Sequence, residues 1–402
     1  MRRRFLRYID RHFSFREQVR MLTDTRVRPR IPLPAIYLTA FLMSACRYRS
    51  LNALEQDFRD RKRQWPKVIA KHLPSADRVG EVMDENVHAG ELRRMQERIL
   101  KRAQRMKALH VAKGFRHRVG SVDAHELFAT RHRSCAGCLR RWLRVDGRMV
   151  LEYYHRVVVF ELVGVHPSVM VDLEPLLPGE DEVEAAQRLV ERVLKRCPWI
   201  CDVVVADAAY QEAPFFRYLR ALGKHVVAVL KDERRDLLQD AAGMLPHRQP
   251  AKVIVEEHHC RGQLGSEARV IHCEVETTQR TRRGTQWVME TTENRWWWVT
   301  TLTAAQASAE EIMRMARRRW VQENSFNELV CHWAMDHRFK HEANAIVTFL
   351  LTLFIAHFLE HLFYARGLQP EARRDLATCL ALGEKLRCEL GDGAVGPDWR
   401  PP

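Results

Sequence analysis

The sequence predicts an α/β fold: a mixed sheet with helices, a β-rich insertion within it, and an all-α region ahead of it. Three observations carry that prediction. Residues 1–118 repeat apolar positions at helical spacing. From 119 the texture changes to short β-branched and aromatic runs, the later ones separated by amphipathic stretches of helix length, which is the order of a partly parallel sheet with an antiparallel start. Between 245 and 300 helical periodicity gives way to alternation.

The first region reads as FREQVRMLTD, IPLPAIYLTAFLMSACRYRSLNALEQDFR and ADRVGEVMDENVHAGELRRMQERILKRAQRMKAL, with Ser75 or Asp77 available to cap the third stretch. The chain of 402 residues carries a formal net charge of +15, and the whole of that excess falls in residues 1–120. A basic helical front on a nearly neutral body suggests a DNA-binding region, because clustered cations displace phosphate counterions. A solvated helical surface is the plainer reading of the same charge.

The sheet region, 119–244, opens with VGSVDAHELFAT, RMVLEYYHRVVVFELVG and SVMVDLEPL. The helix EVEAAQRLVERVLKRC, the strand VVVAD at 203–207, the helix APFFRYLRALGKH and the strand VVAVL follow. Strands joined through a helix are normally parallel, and ligands of open α/β sheets sit at their carboxyl ends, where Asp207 falls. A helix cap is the competing role for that aspartate. The insertion, 245–300, contains AKVIVEEHH, ARVIHCEVETT and TQWVMETTENRWWWVTTL. Residues 301–370 return to helix with AEEIMRMARRRWVQENSFNELVCHWAMDH and ANAIVTFLLTLFIAHFLEHLFYA, and 371–402 form a C-terminal tail. The second of those helices approaches membrane-spanning length, but Asn344, His357, Glu360 and His361 within it favour a buried core helix and no membrane insertion. Ten irregularly spaced cysteines without a signal-peptide pattern point to a reducing, cytoplasmic setting.

Asp123 closes the first strand of this reading as Asp207 closes the fourth, and Glu323 stands on a helix with Arg319 one turn before it. Two strand-end aspartates and a helix glutamate are placed to converge on a pair of divalent cations. Hard Mg²⁺ prefers a few carboxylate oxygens with positions left open for water and phosphate. Two such ions suit phosphodiester cleavage without a covalent protein intermediate.

With VVVADAAYQEAPFF, the strand-end Asp123 and RRRWVQENSFNEL taken together, the chain resembles the DDE transposases of bacterial insertion sequences, in the branch with a β-rich insertion and an R-x3-E motif. The likeness runs over about residues 75–365. It implies an RNase H-like core in which Asp123, Asp207 and Glu323 bind two Mg²⁺ ions, with Mn²⁺ able to substitute. It further implies cleavage at terminal inverted repeats and strand transfer into target DNA, by a homodimer on double-stranded DNA near the bacterial nucleoid. Many relatives carry a tyrosine three residues before the arginine and a lysine seven after the glutamate, positions held here by Ala316 and Val330. His332, His337 and Lys340 are the basic residues nearby. The alternatives are another RNase H-like DNA nuclease or recombinase, and an inactive domesticated copy that only binds DNA.

Arg318 and Arg319, beside Arg317, are the candidate phosphate contacts, and Trp298 in the triple tryptophan 296–298 is the candidate base-stacking residue, against the plainer reading of a strand with packed rings. Cys135 and Cys138 in CAGC, with His132 near and His155 further on, have the spacing of half a zinc site. Without a matching second pair they read as a turn with thiols. Cys197 and Cys201 read as core, and His258, His259, Cys260, His272 and Cys273 as structural, since strand alternation sends neighbours to opposite faces.

Overall fold

Residues 2–211, 213–231, 253–261, 267–376 and 378–389 are described by the computed structural model. The junction expected at 244/245 and the tail beyond 389 lie outside them. Helices α1 (Arg2–Phe13), α2 (Phe15–Arg20), α3 (Leu33–Ala45), α4 (Leu51–Asp60), α5 (Ala76–Glu85) and α6 (Ala89–Arg105) precede the first strand. Ser75 caps α5 by accepting from the Arg78 amide.

The sheet region then runs β1 (Val119–Thr130), β2 (Leu139–Val145), β3 (Arg148–Leu162), β4 (Val169–Pro175), α7 (Glu182–Arg196), β5 (Val203–Ala206), α8 (Ala213–Ala221) and β6 (His225–Val229). Strands β7 (Val253–Arg261), β8 (Glu267–Arg283) and β9 (Gln286–Thr300) follow, then α9 (Ala309–Arg317), α10 (Arg319–Trp333), α11 (Ala343–Leu362), α12 (Pro370–Leu376) and α13 (Cys379–Cys388). The strands form one nine-stranded mixed sheet in the order β2-β3-β1-β5-β6-β9-β8-β7, with β4 also paired to β3. β1, β5 and β6 are mutually parallel and the remaining pairs antiparallel. That is the mixed sheet with an antiparallel start and a parallel centre that the sequence predicts. Its β-rich insertion continues the same sheet outward, because β9 pairs directly with β6.

The structure differs from the sequence reading in two places. β2 was not expected as a strand: LRRWLRV is rich in arginine, yet it pairs with β3 through a turn in which Asp146 and Gly147 both have positive φ, 49° and 79°. An Asp-Gly pair is suited to a two-residue hairpin turn. The second difference is that β1 does not end at Asp123; it runs on to Thr130 as an antiparallel partner of β3 after its pairing with β5 stops at Val122.

Helix α11 is apolar on every face and must therefore be covered on every face. It is long and apolar enough to cross a membrane, but 94% of its apolar window is buried inside the protein. α3, α5, α6 and β4 all pack against it, so the N-terminal helices and the sheet share one continuous core. Its charged residue is answered inside that core: Glu360 receives two hydrogen bonds from Arg47, at 2.7 and 3.1 Å. The Arg47 guanidinium also lies over the Trp333 ring, 3.3 Å from its centroid.

A buried pair broken on one side leaves an uncompensated charge. Glu360→Leu is expected to lower unfolding stability by about 3–5 kcal/mol, and a second substitution, Arg47→Met, to recover much of that loss. Denaturant midpoints of the single and double variants check this.

Candidate active site

The register of two parallel strands builds the centre of the site. Val119, Gly120, Ser121 and Val122 of β1 stand opposite Val203, Val204, Val205 and Ala206 of β5. Side chains alternate between faces. Val119, Val203 and Val205 lie in the apolar cluster on the face covered by α9, and by the same parity Asp123 and Asp207 leave that face from neighbouring strands. Asp207 also takes the competing role noted from sequence: its carboxylate accepts from the Ala209 amide at 2.9 Å and caps the short 3-10 turn Ala208–Tyr210.

Helix α10 carries the third acid to this face and is fixed there by polar contacts with β3. Gln322 donates to the Val159 carbonyl at 2.9 Å, and the Ser325 hydroxyl donates to Glu161 at 2.7 Å. Burial pushes the Glu161 carboxyl up to about 8, so it is held in the protonated form at neutral pH. One turn earlier, Arg319 reaches both sides of the site. It lies 3.4 Å from Asp123 Oδ2 and 2.5 Å from Glu323 Oε1. Asp207, the remaining acid, is close enough to Asp123 to repel it: burial first, and the Asp207 charge second, push the Asp123 carboxyl up to about 6, against the opposing pull of Arg319.

The donor chemistry of these residues suits a divalent cation, although their carboxylates are not among the groups of three or more ligand atoms that, among the described residues, lie within 4.8 Å of one another. The donors are oxygen only, two of them are like-charged groups just past the last paired residues of β1 and β5, and burial makes their repulsion costly. Asp123, Asp207 and Glu323 would hold the metal. Two further residues, Tyr210 and Glu182, border the acids and were not singled out from the sequence. Tyr210 donates to Glu182 at 2.7 Å, and Arg156 pairs with the same glutamate at 2.8 Å. Glu182 raises the Asp123 carboxyl further, in a smaller measure than burial or Asp207. Its position in the first turn of a capped amphipathic helix looks like ordinary helix chemistry, so only the tertiary fold reveals it.

The expected DNA-contact residues are placed unequally. Arg318 lies over the Phe115 ring, 4.9 Å from its centroid, and is partly exposed. Arg319 is only 13% exposed and engaged with the acids. Trp298 is 4% exposed, and its strand position is covered by core residues on the α9 face. Burial excludes that ring from stacking on a base. The accessible aromatic beside the site is instead Trp320, 45% exposed, which meets Trp296 edge-on while Arg317 lies over the Trp296 ring. Trp320 directly follows Arg319 in the sequence; an aromatic at a helix start reads as core, and the turn of the helix places it outward. Of the basic residues near the missing lysine position, Lys340 rests its stem on Gly80 and its ammonium 4.0 Å from Glu342. The side chains of His258, His259 and Cys260 lie outside the described residues, while His272 and Cys273 are buried.

Comparison with known proteins locates the same region. Residues 168–359 match the family model described as the transposase DDE domain, a span that includes Asp207 and Glu323 and begins after Asp123. Among solved structures the chain is similar to the piggyBac transposase in a synaptic complex with hairpin DNA, at 10% identity and a TM-score of 0.48, covering 96% of this chain and 79% of that one. No curated relative matches this sequence.

The strained acid pair has a measurable signature. The folded-state value of Asp123, about 6, lies above its unfolded value, so the charged form is disfavoured in the fold. Asp123→Asn is therefore expected to stabilise the metal-free protein by about 1–3 kcal/mol above pH 6. The gain fades as pH falls from 6 toward the ordinary carboxylate range, where the wild-type side chain is itself protonated. Thermal melts of both proteins across that range in chelator check the sign.

Proposed function

We propose that the chain, whose residues 168–359 match the transposase DDE domain, is a DDE transposase and the transposase of an insertion sequence. In this reading it binds the terminal inverted repeats of its element as a homodimer on DNA, cuts their ends and joins the freed 3′ ends to target DNA, in the reducing cytoplasm. Asp123, Asp207 and Glu323 hold two Mg²⁺ ions, and Mn²⁺ substitutes for them. When bound, the ions activate the attacking oxygen and stabilise the leaving one.

The residues of the chain do the rest. The β1/β5 register fixes the direction in which Asp123 and Asp207 point, and the Glu161–Ser325 and Gln322–Val159 contacts hold the glutamate helix against them. Arg319 keeps Glu323 drawn toward Asp123. Arg318 and Arg317, on the rim, offer charge to the phosphate backbone, and Trp320 offers a ring to a base displaced near the cut. The basic helical region 1–118 contributes salt-sensitive grip on the flanking duplex. One observation carries the proposal: two aspartates stand directly after the last paired residues of two parallel strand segments, and one of them, Asp123, is joined through Arg319 to Glu323.

The test uses purified protein and a DNA fragment carrying the element's end. Cleavage is expected in Mg²⁺ or Mn²⁺ and not in chelator, falling below pH about 6 as a proton competes at Asp123. Asp207→Asn should abolish cutting while leaving DNA binding intact; cutting that survives it would refute the assignment. Trp320→Ala should weaken binding of pre-nicked or unpaired end DNA by about tenfold, toward the lower end of what one stacked base contributes, with little effect on intact duplex.

A further inference from the structure

Away from the acids, the CAGC turn finds the partners that its sequence neighbourhood did not supply. Cys135 and Cys138 lie between β1 and β2, His155 lies on β3, and His341 lies in the connection between α10 and α11. Their ligand atoms all fall within 4.8 Å of one another. The Sγ atoms are 3.7 Å apart, and His155 Nε2 lies 3.5 Å from Cys135 Sγ and 3.3 Å from Cys138 Sγ. His341 Nε2 is 3.1 Å from Cys138 Sγ. His132, the nearer histidine in sequence, is exposed and takes no part.

Those separations match the edges of a tetrahedron around zinc. Bonds of about 2.3 Å to sulfur and 2.0–2.1 Å to nitrogen place two sulfurs about 3.7 Å apart and sulfur and nitrogen about 3.5 Å apart. Cys138, His155 and His341 are each more than nine-tenths buried, and His341 Nδ1 has no partner, so the ring is aimed by its Nε2 edge. Gly137, in the middle of the turn, packs closely against Ala343 and His155: a Cβ there would stand in van der Waals contact with both, at 3.5 and 3.7 Å. Phe128 closes the apolar side, 5.4 Å from the His155 ring and 5.7 Å from that of His341. Two thiols and two imidazoles packed this closely, with no acid among them, form a donor set for a borderline-soft tetrahedral ion and not for Mg²⁺.

We propose that Cys135, Cys138, His155 and His341 form a structural zinc site that fastens the turn after β1 to the segment joining α10 and α11. Zinc binding displaces the two thiol protons to solvent and leaves no open coordination position, so the site clamps and does not catalyse. The clamp spans 203 residues of sequence between Cys138 and His341. It ties the strand that carries Asp123 to the chain immediately after the helix that carries Glu323.

The full chain, purified without chelator, should contain about one zinc ion by elemental analysis. Cobalt exchanged into it should give the visible bands of a tetrahedral ion together with thiolate charge transfer. Cys138→Ser and His341→Ala should drop the content to near zero, whereas Asp123→Asn should not change it. Glu328→Gln is the control for the other close donor group, Glu328 with His357 and His361, and should leave zinc and the cobalt spectrum unchanged. Should Cys138→Ser fail to fold, His341→Cys decides: it should keep the metal and strengthen the charge-transfer band. Wild-type protein that takes up neither zinc nor cobalt, a cobalt spectrum without thiolate bands, or metal content indifferent to the His341 variants would overturn the site.

Discussion

A helix with no polar face has no stable place at a surface, and α11 imposes that constraint on the whole molecule. To bury it, the chain brings α3, α5 and α6 to it from the N-terminal region and β4 from the sheet. The basic front region is thereby held to the body through the largest apolar element of the fold. Two polar intrusions confirm how strict the burial is. Glu360 is enclosed with Arg47, and His357 and His361 turn toward Glu328 of α10 at 3.3 and 3.1 Å.

That last contact links packing to the site. α10 is gripped from two directions: Glu328 meets α11 toward its end, and Gln322 and Ser325 meet β3 toward its start. Glu323 projects between these anchors and has only Arg319 as a named ionic partner among the described residues. The site therefore combines a rigid base with an electrostatically uneasy centre. Repulsion between Asp123 and Asp207 is carried by the surrounding hydrogen bonds, as is common where a fold is organised for charge chemistry.

Much of this was legible in the sequence because local pattern and tertiary role agree. The run VVVAD announces both a buried parallel strand and the polar residue at its end, and the R-x3-E spacing places Arg319 and Glu323 on one helical face. What was not legible depends on partners brought from afar. The β2 strand hid behind its arginines, the exposed Trp320 drew no notice beside the triple tryptophan whose Trp298 packs inward as its plainer reading held, and Glu182 reached the acids only through the crossover of α7. CAGC looked like half a site because its complement is one histidine on β3 and another beyond α10, neither in the paired spacing that a linear motif requires. Periodicity reports which face is apolar. It does not report which distant element will cover it.

The hairpin that begins with β2 also sets the outer boundary of the sheet. As the terminal strand among the described residues it has one edge without a strand partner there, and Arg140 and Arg144 alternate along it around the exposed Trp142. Fixed positive charge at that border opposes annealing of one molecule's sheet onto another's while leaving it attractive to a polyanion. The arginines that disguised the strand thus guard the open rim of a nine-stranded sheet against pairing edge to edge with another molecule.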